Sequence, residues 1–286
     1  MRAEQLTAAC AEHGEGPVWD VVAGVLRFVD LLVGAVLTFD PVTGELTRRL
    51  VAAGGVAAAL RPRRSGGWVV ATERGFALLA DLDNSAEIEK EEYVEAFVDR
   101  SIRMNDGSCD PQGRFYCGSM AYSQEPGRGT LYRLDPDRSV HEVLTGVTVS
   151  NGLCWTPDGA SAYYVDSATH RIDVCEFDSD TGALRDRRPF VTIPIGTPDG
   201  LTIDADGGIW VALYGAGVVH RYDQRGNLDL VVEVAVSKPT SCAFVDRDLF
   251  ITTTRENLPD GAEPQAGALF HVRPGVRGVA PLSFGG

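Results

Sequence analysis

The sequence predicts an all-β protein, a six-bladed β-propeller of four-stranded antiparallel blades that takes up residues 1–286 as one domain. Three observations carry that expectation. Glycine and proline, 32 and 15 of 286 residues, are scattered along the whole chain, as many short strands joined by tight turns require. No stretch sustains helical periodicity: the best candidate, SAEIEKEEYVEAF at residues 85–97, is short and fits an outer strand, a connecting loop or one helical turn. The third observation is an internal repeat of the length of a propeller blade.

Three segments line up: NDGSCDPQGRFYCGSM from Asn105, NGLCWTPDGASAYYVDS from Asn151 and DGLTIDADGGIWVALYG from Asp199. In each, Asn or Asp opens a short apolar strand, a glycine follows eight positions on (Gly113, Gly159, Gly207), and a second strand carries an aromatic residue (Tyr116, Tyr163, Trp210). Further strand-like runs complete each unit: GTLYRLDPD, HRIDVCEFDSDTG and VVHRYDQRG. The openings lie 46 and 48 residues apart, within the roughly 40–50 residues of a four-stranded blade. Glu15 stands 90 residues before Asn105, which leaves room for one more unit, and GGWVVATERGFALLAD (66–81) supplies its strands. CAFVDRDLFITTTRE from Cys242 and GALFHVRPG make the sixth. The N-terminal LTAACA is expected to pair beside the C-terminal strands and close the ring without an exposed edge.

Composition narrows the function classes. A formal charge of −14, from 26 basic and 40 acidic residues, repels nucleic acid phosphates and anionic membranes, and no basic run offsets it. Neither partner is expected. The most apolar stretch, residues 21–37, is broken by Arg27, Asp30, Gly24 and Gly34, so it reads as strands. The N-terminus shows no secretory pattern, which places the protein in the cytoplasm. The six cysteines are widely spaced, with no C-x-x-C pair, and are expected to be reduced and mostly buried. The five histidines form no ligating spacing and are given structural or surface roles.

In a propeller the first strand of every blade lines a central channel, so residues at one repeat position converge. Here those positions carry Glu15, Asn105, Asn151 and Asp199. Each sits in a sequence that also suits an ordinary turn, since Asn and Asp bond their own backbone and glycine supplies positive φ. Their shared phase favours convergence. Carboxylates gathered in a channel repel unless a cation or a proton intervenes, and an all-oxygen donor set suits Ca²⁺, Mg²⁺ or Mn²⁺ better than structural Zn²⁺.

GEGPVW (14–19), RMNDGSCDPQGRFYCGSM (103–120), SNGLCWTPDG (150–159) and TPDGLTIDADGGIWVA (197–212) resemble the senescence marker protein, regucalcin and gluconolactonase family, in order and over nearly the whole chain. The resemblance implies one divalent cation, Ca²⁺ first with Zn²⁺, Mn²⁺ or Mg²⁺ as alternatives, bound by Glu15, Asn151 and Asp199. It implies that Arg103 and Asn105 contact substrate and that Asp199 is the general base of a lactonase. Regucalcin-like members carry a glutamate after the GSMA segment that helps to bind the sugar. Tyr122 stands there in this chain, followed by Glu125, so Tyr122 and Glu125 become the candidates for binding substrate hydroxyls, and a lactone or similar small ester is a better expectation than gluconolactone itself.

The expected reaction is ring opening by water at a metal-polarised carbonyl, with either Asp199 or a hydroxide on the ion delivering the attack. Rival readings are a calcium-binding propeller without turnover and a phosphotriesterase-type hydrolase. A serine hydrolase lacks its G-x-S-x-G elbow. A glycosidase pairing Glu15 with Asp199 leaves the asparagines without a role.

Overall fold

A computed structural model describes residues 1–51, 55–83 and 90–286. The chain forms six four-stranded antiparallel sheets. Blades 1 to 5 use residues 14–50, 57–95, 102–147, 150–192 and 197–233, each with its strands in sequence order. Blade 6 combines strands Pro239–Val245, Asp248–Thr253 and Phe270–Val272 with the N-terminal strand Glu4–Gln5. Among the described residues only two short 3₁₀ turns interrupt the strands, Leu31–Val33 and Ser167–Thr169. Of the segment 85–97, residues 90–95 are the outer strand of blade 2, while 85–89 lie outside the described residues. No helix is long and apolar enough to cross a membrane.

The order of strands within a blade follows their composition. Inner strands such as Ser150–Trp155 are buried throughout, because blades pack on both of their faces, and second strands such as Ile209–Tyr214 read as nearly continuous apolar runs. Outer strands such as Lys90–Glu95 are exposed and charged. Each hairpin joining the first and second strands turns at the glycine marked by the repeat: Gly113, Gly159 and Gly207 have φ of 93°, 70° and 78°, open to glycine without strain. The paired aromatics fill the space between blades. Tyr116 packs on Trp155 at 5.1 Å between ring centroids, and Trp210 on Phe244 at 5.4 Å.

Ring closure falls slightly upstream of its expected place. Glu4 and Gln5 pair with His271 and Phe270, and the LTAACA segment follows alongside, with the Leu6, Cys10 and Ala11 amides donating to the Leu269 and Gly267 carbonyls. The extended pair forms where the two partner residues offer a free edge; beyond it the chain turns toward blade 1. The C-terminal segment has a role that the repeat did not announce. It crosses the end of the channel opposite the inner-strand starts, bonded by Gly278 N to Asp246 O, Ala205 N to Arg277 O, Phe284 N to Pro62 O and Gly285 N to Gly113 O. Val279 to Leu282 thereby floor the channel.

Deleting residues 1–6 should lower stability by about 2–4 kcal/mol, at about 1 kcal/mol per backbone hydrogen bond lost, and expose the Phe270–Val272 edge. Denaturant titration measures the loss, and light scattering should show concentration-dependent association through the bare edge.

Candidate metal centre

The inner strands of blades 3, 4 and 5 share one irregularity. Met104 faces Ser119 but Gly107 faces Cys117, Ser150 faces Asp166 but Leu153 faces Tyr164, and Pro198 faces Leu213 but Leu201 faces Val211. Two residues therefore oppose one, at Asn105–Asp106, Asn151–Gly152 and Asp199–Gly200. Such a bulge bends the strand and re-aims a side chain. In blade 1 the bulge comes one residue later: Glu15 is itself paired, with Val29, and Gly16 follows at φ 53°. The shared phase thus holds for Asn105, Asn151 and Asp199 and is corrected by one position for Glu15, whose side chain is one methylene longer.

The four side chains and Arg103 line one cavity of about 420 Å³ on the channel axis, and all five are buried. Arg103 donates to Asn105 Oδ1 at 2.7 Å and to the Met104 carbonyl at 3.0 Å. Asn105 Nδ2 donates to the Ser150 carbonyl at 2.9 Å and to Asn151 Oδ1 at 3.1 Å. Asn105 is thus tied on both ends and keeps one Oδ1 lone pair for a ligand. Asn151 Nδ2 donates to Ser167 Oγ at 2.8 Å, and Ser167 Oγ donates to the Pro198 carbonyl at 2.7 Å. This chain fixes the Asn151 amide so that its oxygen faces the cavity.

Glu15 and Asp199 are acceptor-only groups with little to satisfy them. Glu15 Oε2 accepts the Gly16 amide at 2.9 Å, and the Gly200 amide bonds Asp199. Burial, and then the charges of Asp199 and Asp106, push the Glu15 carboxyl well above the usual carboxylate range. Burial, and then Asp106, do the same to Asp199, against the opposing pull of Gly200 N–H and Arg103. Burial thus favours a proton on the bare pair, and a divalent cation in its place would relieve both, with Asn151 Oδ1 available as third donor. The residues therefore fit a hard cation. Among the described residues no group of three His, Cys, Asp or Glu side chains could hold a metal, so the donor set depends on the amide.

Among the cavity residues left unassigned in the repeat are Ser167, Glu256 and His13. Ser167 orients Asn151, as above. Glu256 and His13 line the opposite wall: His13 Nδ1 lies 3.0 Å from Glu256 Oε2, and its Nε2 is 3.9 Å from Glu15 Oε1. His13 is buried in the site, where it lies against Thr254 and Glu256. Ser167 and Glu256 follow the second strand of a blade, and Tyr214, also on the cavity, ends one. That strand returns the chain to the end where the inner strand begins, so the connection after it was a findable signal. Tyr122 and Glu125 are placed differently. Tyr122 is half-exposed, lies 5.9 Å from the Arg103 guanidinium and donates to Glu73 Oε1 at 3.0 Å. Glu125 is exposed and paired with Arg128 at 3.1 Å. Neither lines the cavity, whereas Gln124 and Pro126 of the same loop do.

The family described as SMP-30/Gluconolactonase/LRE-like region matches residues 13–255. Regucalcin of Homo sapiens is 36% identical over 291 residues, covering 96% of this chain and 95% of its own. A solved luciferin-regenerating enzyme superimposes with a TM-score of 0.91 at 28% identity, covering 99% of both chains. A calcium-binding protein, regucalcin, from Agrobacterium tumefaciens gives 0.89 at 27%, covering 99% of this chain and 97% of that one.

Two measurements test the centre. Because both carboxyls are raised, the metal-free folded state holds protons that the unfolded chain releases near the ordinary carboxylate range. The stability linked to them is complete below about pH 4 and is lost as pH rises through the raised values. Calcium should therefore raise the thermal midpoint more at about pH 8 than at about pH 5, and Asp199→Asn should flatten that difference. Ser167→Ala, which frees the Asn151 amide, should weaken calcium binding roughly tenfold by isothermal titration.

Proposed function

The chain belongs to the SMP-30/gluconolactonase/LRE-like family, and from that premise we propose that it is a divalent-metal-dependent lactonase, opening the ring of a lactone or similar small ester. One observation carries the reading: three carboxylates, Glu15, Asp199 and Glu256, share a cavity with a single guanidinium, Arg103. Their net charge of minus two is neutralised by one divalent cation. A site neutralised in this way would suit an uncharged ester.

Glu15, Asn151 and Asp199 would hold the cation, with Ca²⁺ preferred for an all-oxygen set and in keeping with the calcium-binding relative; Mg²⁺, Mn²⁺ and Zn²⁺ are the alternatives. When bound, the cation would polarise the ester carbonyl and stabilise the charge developing on its oxygen. Asp199 accepts the proton of the attacking water as the new carbon–oxygen bond forms. The ring carbon–oxygen bond then breaks, and the leaving oxygen takes the proton back, giving a hydroxy acid. Arg103, anchored to Asn105 and Met104, orients the substrate oxygens with its remaining N–H groups. Asn105 holds both Arg103 and Asn151 and offers its free lone pair to a substrate hydroxyl. Tyr122 and Glu125 act at the rim, Tyr122 by backing Arg103. The six free cysteines, five of them buried, accord with placing the protein in the reducing cytoplasm.

A pH-indicator assay over sugar-derived and aliphatic lactones, with a phosphotriester for comparison, tests the reading on chelated protein and after return of each metal. Activity should vanish on chelation and return with calcium. Asp199→Asn should lower kcat by roughly 10²- to 10⁴-fold. Calcium binding without turnover of any ester would make the protein a binding propeller, and activity in fully stripped protein would remove the metal from the mechanism.

A further inference from the structure

Glu256 lies on the connection after the second strand of blade 6, across the cavity from the Tyr122 loop. Its backbone is pinned: its amide donates to Thr254 Oγ1 at 2.9 Å, and its carbonyl accepts Lys238 Nζ at 2.8 Å. Its side chain is pinned through Oε2, 3.0 Å from His13 Nδ1. Thr254 Oγ1 donates to the Glu12 carbonyl, so it can only accept from His13 Nδ1, 3.1 Å away. The ring therefore carries its hydrogen on Nδ1 and shares it between Thr254 and Glu256. The hydrogen bond from His13, with the charges of His13, Arg103 and Lys238, holds the Glu256 carboxyl below the usual range. The other oxygen, Oε1, has no hydrogen bond with the described residues.

A fixed, ionised acceptor on a cavity wall is complementary to an O–H donor. The sequence candidates for that task are committed elsewhere, Tyr122 to Glu73 and Glu125 to Arg128. Resting on the lactonase reading, we propose that Glu256 is the specificity-determining residue of the site: it binds ring hydroxyls and selects polyhydroxylated lactones over unsubstituted ones. Asn105 Oδ1, on the opposite side, takes a second hydroxyl. A lactone bearing no hydroxyl buries Glu256 Oε1 without a partner, the situation in which a polar site rejects an analogue most strongly.

The test compares glucono-δ-lactone with δ-valerolactone, which has the same ring without hydroxyls, in wild type and in Glu256→Gln and Glu256→Ala. A second readout is calorimetric binding of the corresponding anhydro-polyol, which keeps ring and hydroxyls and lacks the carbonyl. Both variants should lower kcat/KM for the hydroxylated lactone at least about tenfold more than for δ-valerolactone, with the loss in KM, and should weaken polyol binding by a similar factor. Equal losses on the two lactones, or unchanged polyol binding, would overturn the assignment of Glu256. Polyol binding that depends on Glu256 in a wild type that opens neither lactone would retain the subsite and reject the lactonase reading.

Discussion

Like charge brought together on the propeller axis is the constraint on which the rest of the site depends. Glu15 and Asp199 approach from blades 1 and 5, with Asp106 near enough to raise both carboxyls further. Among the described residues each accepts one backbone amide, from Gly16 and Gly200, which offsets little of the cost of burial. A proton can relieve that strain only by removing the charge, whereas a divalent cation of the kind proposed would relieve it and keep both carboxylates ionised. The bulges at Asn105, Asn151 and Asp199 are the local device that creates the convergence, by turning one oxygen-bearing side chain per strand out of the ladder and toward the axis.

Holding the convergence in one geometry falls to neutral groups. Asn105 links Arg103 to Asn151, Asn151 is held by Ser167, and Ser167 is held by the carbonyl of Pro198, next to Asp199. Three blades are thereby joined by a single run of hydrogen bonds, and the orientation of each amide is set by its neighbour. On the other wall the His13–Glu256 contact joins blade 6 to the start of blade 1, beside the seam where the N-terminal strand completes the ring. The site is therefore as sound as the closure of the propeller, and the C-terminal floor from Val279 to Leu282 closes the far end of the same channel.

The blade count, strand order and turn glycines were legible because they rest on local chemistry: alternation, apolar runs and residues that tolerate positive φ. Gly113, Gly159 and Gly207 mark their turns in the sequence as clearly as in the structure. The convergence of Glu15, Asn105, Asn151 and Asp199 was legible at one remove, through repeat phase, with Glu15 misplaced by one residue because a bulge shifts register without changing composition. Ser167 and Glu256 were legible only by their place after the second strand of a blade, and their cross-blade contacts were not legible at all: Ser167 donates to Pro198 of the next blade, and His13 and Glu256 meet only because the ring closes.

By itself the sequence determined the repeat, the donor types and their approximate phase, since a strand, its turn and its bulge are each specified within about ten residues. The tertiary structure alone decided which side chains face the cavity. It turned Tyr122 toward Glu73 and Glu125 toward Arg128, set Glu256 on His13, and folded the C-terminal segment across the channel. Apart from the local Glu125–Arg128 pair, those outcomes depend on which partner lies nearest across a blade boundary, a distance that no spacing along the chain encodes.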